Sequence, residues 1–197
     1  MRLFVAINLP GDVRRSIADA TASLRAAAPS LAWTDEARLH LTLKFLGEQT
    51  DDAREPLAAA LRAVAPRHAP LSLELGGLGA FPTRRRPRVV WLGVAPDPKL
   101  ELLHHEVEVA CADLGYEIEG RAFRPHLTLG RVRAGRGGAR GHDAARAAET
   151  ASALDSAARA MRQRWTAAVD SLDLMRSELA AGSSRYSVLD AVPLGAR

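Results

Sequence analysis

The tetrapeptide His40-Leu41-Thr42-Leu43 recurs as His126-Leu127-Thr128-Leu129, 86 residues further on. One short match is weak evidence in a leucine-rich chain, but the same offset can be tested on what precedes it. Moving back by 86 lays the strand-like run Arg88 to Val94 on Arg2 to Asn8. It also sets Asp97-Pro98 over Gly11-Asp12, where each half begins a helix. Three elements in one order at one offset point to two halves, each a strand, a helix and a histidine-bearing strand.

The periodicities agree. Val13, Ile17, Ala20 and Leu24 make one apolar stripe that Pro29 ends. In the second half Asp97 can cap a helix with Pro98 at its first position. Leu100, Leu103, Val107, Cys111 and Leu114 form its stripe ahead of Gly115. After each histidine strand the halves continue alike. A capping pair Asp52/Glu55 is expected before a helix with Leu57, Leu61 and Val64, followed by an alternating strand Leu71 to Leu75. In the second half a Gly/Arg-rich loop, 134–141, delays a helix expected from about Asp143 to Arg164. Two strands follow, near Ala168 to Arg176 and Arg185 to Val192, joined by a turn at 181–184. The expected fold is α+β. Two pseudo-twofold-related lobes each hold an antiparallel-rich sheet with helices outside, and the active site lies in the groove between them. With no long linker, residues 1–197 read as one bilobal domain.

Composition narrows the class. At 197 residues with 47% hydrophobic and 25% charged residues, the chain can bury a core. No apolar run reaches the ~18 residues that a membrane helix needs. Leu3 to Ile7 is too short for a secretory segment, and Cys111 is the lone cysteine, so a cytoplasmic location and no disulfide are expected. Lys plus Arg is 27 against 23 acids, a net charge of +4, and only Lys44 and Lys99 are lysines. The arginines cluster at Arg84, Arg85, Arg86 and Arg88, and again between Arg121 and Arg140, where no acid intervenes. Guanidinium forks suit phosphate oxygens, although solvated arginine-rich loops would read the same way.

Alternation along a strand puts His40 and Thr42 on one face and Leu41 and Leu43 on the other, with His126 and Thr128 repeating the pattern. If the leucines enter each lobe's core, the imidazoles and hydroxyls face the cleft. Two histidines there can divide proton removal and proton donation near neutral pH, while threonine hydroxyls bind non-bridging phosphate oxygens. That set fits phosphodiester cleavage and needs no metal or other cofactor. Rival chemistries lack parts: no helical zinc spacing, no G-x-S-x-G elbow and no glycine-lysine phosphate loop are present. His68, His104, His105 and His142 read as surface or boundary residues.

The paired motifs resemble the 2H phosphoesterase superfamily. His40 to Glu48 (HLTLKFLGE) and Arg124 to Arg131 (RPHLTLGR) are similar to the two motifs of bacterial and archaeal RNA 2',3'-cyclic phosphodiesterases, the 2'-5' RNA ligase family. Arg2 to Ile7, Gly79 to Pro82, Arg86 to Trp91, Leu174 to Leu179 and Ser184 to Tyr186 also fit. The resemblance implies hydrolysis of RNA 2',3'-cyclic phosphate ends to 2'-phosphomonoesters, with reversible 2'-5' RNA ligation beside it. It makes His40 the proton donor and His126 the acceptor, with Thr42, Thr128 and Arg131 on phosphate. Strict alternation from His126 would put Arg131 on the wrong face, which a bulge or strand end at Gly130 would resolve. Phe4, Phe45 and Arg124 are candidate base or RNA contacts. The expected partners are RNA ends, transfer RNA among them, or small cyclic nucleotides, met by a monomer with no membrane. Two alternatives stay open: a non-catalytic nucleotide- or RNA-binding module of the same fold, and a phosphodiesterase for small cyclic nucleotides or 2'-5' oligonucleotides.

Overall fold

The computed structural model describes residues 1–132, 140–180 and 183–195; for 140–144, 179–180 and 183–184 it describes the backbone. Most of the Gly/Arg loop, and residues 181–182 of the expected turn, lie outside the described residues. In chain order the elements are β1 (Arg2–Asn8), α1 (Gly11–Ala20), α2 (Ala22–Ala27), β2 (Leu31–Trp33), β3 (His40–Glu48), α3 (Arg54–Val64) and β4 (Leu71–Thr83). Then come β5 (Arg86–Val94), α4 (Pro98–Ala112), β6 (His126–Val132), α5 (Arg140–Ala160), β7 (Trp165–Val169), β8 (Ser171–Ala180) and β9 (Ser183–Pro193). Among the described residues no helix is long and apolar enough to cross a membrane.

Among the described residues the strands form one antiparallel sheet in the order β7-β4-β5-β6-β3-β1-β8-β9, with β2 added to β6. The two histidine strands are neighbours at its centre, joined by the single ladder pair Leu41↔Leu127. On one side of that seam β3, β1, β8 and β9 make one lobe; on the other β6, β5, β4 and β7 make its counterpart. Leu41, Leu43, Leu127 and Leu129 are 0%, 2%, 0% and 0% exposed, all within one core cluster. Burying a leucine side chain that fully is worth about 1.5–3 kcal/mol, so this face is firmly fixed inward.

The lobes are not the sequence halves. α1 follows β1 yet packs on β7 of the other lobe, where the Ser16 hydroxyl accepts from Trp165 Nε1 at 2.9 Å. α4 follows β5 yet packs on α3 and β3 of the first lobe. Each half thus lends a helix to the other.

Local differences from the sequence reading have local causes. Asp97 caps α4 as expected, accepting from the N–H groups of Lys99 (2.7 Å) and Leu100 (3.3 Å). The Asp52/Glu55 capping pair does not form. A 3-10 turn at Asp51–Ala53 runs directly into α3; Asp52 accepts from the Thr50 hydroxyl, and Glu55 pairs with Arg62 at 3.0 Å. The first helix breaks at Thr21, whose hydroxyl donates back to the Ile17 carbonyl at 2.8 Å. α5 spans Arg140–Ala160, so it starts and ends earlier than expected and takes in the backbone of His142. The strand expected at Ala168 to Arg176 is two strands, β7 and β8.

Candidate active site

Two bulges in the central strands occupy equivalent places, and a further one in β3 leaves Leu46 extra between Phe45 and Gly47. Ala6 pairs with Thr42 and Val5 with Lys44, leaving Leu43 as the extra residue of β3. Trp91 pairs with Thr128 and Val90 with Gly130, leaving Leu129 as the extra residue of β6. Each bulge reverses the alternation after it. Lys44 and Gly130 therefore turn inward and are buried, while Phe45 and Arg131, the next residues along, return to the face of His40, Thr42, His126 and Thr128. The irregularity that brings Arg131 to this face sits at Leu129, one residue before the expected position.

The bulges also correct the repeat. Asn8 pairs with His40 and Gly93 with His126, so β1 and β5 correspond at an offset of 93 − 8 = 85, one less than their histidine strands. Phe4 is therefore the counterpart of Val89 rather than of Val90, which lies in the core at 0% exposure. The connection between first strand and histidine strand absorbs the one-residue difference.

Both histidines are held in the same way. His40 Nδ1 lies 2.8 Å from the Arg38 carbonyl and His126 Nδ1 lies 2.7 Å from the Arg124 carbonyl. A carbonyl can only accept, so each Nδ1 carries the hydrogen and Nε2 is the nitrogen left to act. Aromatic rings flank both imidazoles. Phe4 and Tyr186 stand 5.1 and 5.4 Å from His40, centroid to centroid; Phe81 and Trp91 stand 4.9 and 6.3 Å from His126. Trp91 fits because its partner on β4 is Gly79, where a Cβ would come within 2.2 Å of the indole.

Two cavities meet at this centre. One of about 340 Å³ holds His40 with Tyr186 and Ser177. The other, about 670 Å³, holds His126 with Phe81, Phe123, Arg121 and Arg124. Thr42, Phe45, Thr128 and Arg131 line both. An anion at the junction would have two hydroxyls and a guanidinium around it and one imidazole toward each side. Burial lowers the pKa of both histidines below the usual imidazole value, the Arg131 charge lowers both further, and His126 adds to the effect on His40. The carbonyl contacts oppose this in part.

The expected contact residues separate on burial. Phe45 is 64% exposed beside the centre and Arg124 is exposed in the second cavity, so both can meet a ligand. Phe4 is 4% exposed and packs with Ala6, Met175 and Tyr186, so it backs His40 more than it offers a free face. Arg84, Arg85, Arg86 and Arg88 are exposed where β4 meets β5. Away from the centre, buried His68 has its Nε2 3.1 Å from Glu106 and half-buried His104 stacks on Phe123. Among the described residues no group of three or more His, Cys, Asp or Glu is placed to hold a metal ion. Phe81, Trp91 and Arg38 escaped the sequence reading. The resemblance noted at Gly79 to Pro82 and Arg86 to Trp91 was the one pointer to the first two. Arg38 had no such signal, although it reaches over the Tyr186 ring at 5.8 Å.

Known proteins resemble this chain in sequence and in fold. A model of the 2'-5' RNA ligase superfamily matches residues 13–180. A Geobacillus stearothermophilus protein named RNA 2',3'-cyclic phosphodiesterase is 37% identical over 128 residues, 65% of this chain and 41% of that protein. A Thermotoga maritima protein of the same name is 32% identical over 133 residues, 68% of this chain and 71% of the relative. The chain spans less than half of the Geobacillus protein and 57% of an Aeropyrum pernix relative. Among solved structures, TT0787 of Thermus thermophilus superposes with a TM-score of 0.75 at 27% identity, covering 100% of this chain and 99% of the other. E. coli LigT complexed with 3'-AMP gives 0.74 at 27% identity, covering 98% and 97%. With a repeated His-x-Thr-x pair at its centre and a family match across most of its length, this chain belongs to the 2'-5' RNA ligase superfamily.

Proposed function

We propose that this protein hydrolyses the 2',3'-cyclic phosphate at RNA ends to a 2'-phosphomonoester, by general acid–base catalysis and without a metal or nucleotide cofactor. The observation that carries the reading is the pair of imidazoles with Nδ1 tied to a backbone carbonyl, set about two threonine hydroxyls and one arginine. The names of the Geobacillus and Thermotoga relatives, and the 3'-AMP in the LigT complex, support this substrate class.

In this mechanism Thr42 and Thr128 donate hydrogen bonds to the non-bridging oxygens, and Arg131 balances the charge that grows on them. His126 Nε2 removes a proton from water as the water oxygen bonds to phosphorus. The bond from phosphorus to the 3' oxygen breaks, and that oxygen takes the proton from His40 Nε2. The phosphate remains on the 2' oxygen, and the two histidines have exchanged protonation states, which solvent resets. With an RNA 5' hydroxyl in place of water as the nucleophile, the same transfers in the same direction make a 2'-5' linkage and free the 3' hydroxyl, and run backward they cleave it. We place the reaction in the cytoplasm, with RNA ends or small cyclic nucleotides as partners of a monomer.

The deciding experiment is product analysis on an oligoribonucleotide ending in a 2',3'-cyclic phosphate, with EDTA present. A 2'-phosphate product supports the proposal. A 3'-phosphate product would reverse the assignment of the departing oxygen, and binding without turnover would leave only a nucleotide-binding module.

A further inference from the structure

Lys44 follows the first motif on β3, and nothing in the proposed reaction uses it. The bulge at Leu43 turns its side chain into the protein, where Nζ meets Glu108 Oε2 of α4 at 2.6 Å with both side chains 4% exposed. Two long charged side chains give up hydration to meet there, so the position demands an explanation beyond charge pairing.

The pair also grips a third segment. Lys44 Nζ donates to the Glu117 carbonyl, and Glu108 Oε2 accepts from the Glu119 N–H at 3.0 Å. Residues 117–123 connect α4 to β6 with neither helix nor strand of their own, and most of them are exposed. This stretch forms one wall of the His126-side cavity through Glu119, Arg121 and Phe123. Phe123 is placed by the same pair at one remove. It stacks on His104 at 3.8 Å and 10° between planes, and His104 Nε2 lies 3.7 Å from the other Glu108 oxygen. His126 has its own anchor, because the Val94 N–H holds the Pro125 carbonyl at 3.2 Å. Loss of the grip would free the wall and leave that imidazole in place.

We propose that Lys44 and Glu108 are positioning residues which clip the 117–123 wall to the cavity, and that this wall sets how tightly the nucleoside attached to the reacting phosphate is held. The inference rests on the proposed function for its substrate, and the test keeps the two apart.

The informative variant is Lys44→Met combined with Glu108→Leu. Lys44→Met alone strands a buried carboxylate, whereas replacing both partners by apolar side chains commonly keeps a protein folded. A purely structural pair predicts that the double variant recovers thermal stability and KM together. Positioning predicts recovered stability with the KM for 2',3'-cyclic AMP still raised about tenfold and kcat within about threefold. Tryptic cleavage after Arg121 should also quicken, and adding Phe123→Ala should raise KM little further, because the aromatic wall is already displaced. Recovery of the wild-type KM overturns the inference, as does a raised KM without faster cleavage. Should the wild type turn over no cyclic phosphate, the functional proposal falls and calorimetry with 3'-AMP replaces KM. Weaker binding by the double variant then supports the clip, and unchanged binding, or none even to the wild type, overturns it.

Discussion

Phe45 and Arg131 are structural counterparts, each two residues beyond an equivalent bulge, at Leu43 and Leu129, and both face the junction of the two cavities. The same backbone device therefore delivers an exposed ring on one side and a cation on the other. A ring so exposed beside the proposed nucleotide site is suited to stacking on a base, worth about 1–3 kcal/mol per base. Phe45→Ala should raise the KM for 2',3'-cyclic AMP about five- to hundredfold and depress kcat much less. Because the ring is 64% exposed, the melting free energy should move by no more than about 0.5 kcal/mol. A steady-state series with a parallel thermal melt reads both; an unchanged KM would mean the ring only shields the site.

The matched carbonyl anchors make the two histidines look alike, so their roles need a chemical distinction. His40→Asn and His126→Asn should each lower turnover of the cyclic phosphate about 10²–10⁴-fold. A phosphodiester with a p-nitrophenolate leaving group departs without a proton. On that substrate the His40→Asn protein should recover most of its activity and the His126→Asn protein should not. The opposite pattern would exchange donor and acceptor, and equal recovery would remove the division of labour.

Much of this centre is legible in the sequence because its periodicity is strict. Alternating His-Leu-Thr-Leu fixes which side chains share a face, and four leucines at or below 2% exposure leave no other choice. What the pattern cannot carry is register. Leu43 and Leu129 look like any core leucine, yet as extra residues they decide where Lys44, Phe45 and Arg131 point. The exchange of α1 and α4 between lobes is equally hidden, since each helix shows an apolar stripe whichever sheet it covers. The ring of Trp91 beside His126 depends on the absent side chain of Gly79, a cross-strand relation that no local window contains.

The pH response depends in part on Arg131. Burial, and after it the Arg131 charge, opposes protonation of both imidazoles, so both have pKa values below the ordinary value. The proposed reaction needs His126 neutral and His40 protonated, which gives a bell in kcat/KM whose limbs both report the free protein. Arg131→Gln removes one depressing cause from each histidine, so both limbs should shift to higher pH while the maximum falls for want of the phosphate contact. Rate profiles of the two proteins from pH 5 to pH 9 decide the matter. A bell lower in height but unmoved would place Arg131 too far from the imidazoles to act on them.

The exposed arginines between β4 and β5 bear on how far the site extends along RNA. Val89 on β5 pairs directly with Arg131 and lines the larger cavity; Arg88 precedes it in the chain, and Arg86 begins the same strand. Arg84 is partly engaged at 3.7 Å from Asp155, which makes Arg86 and Arg88 the better pair to test. A single strand releases about 0.7 counterions for each phosphate neutralised. If these two guanidiniums meet successive phosphates, Arg86→Gln with Arg88→Gln should flatten the plot of log affinity against log salt by about one to two for an oligoribonucleotide. The KM for 2',3'-cyclic AMP, which has no further phosphates to reach them, should be unaffected. Equal salt slopes for oligonucleotide and mononucleotide in the unmodified protein would show that these arginines face only water, and would confine recognition to the end nucleotide.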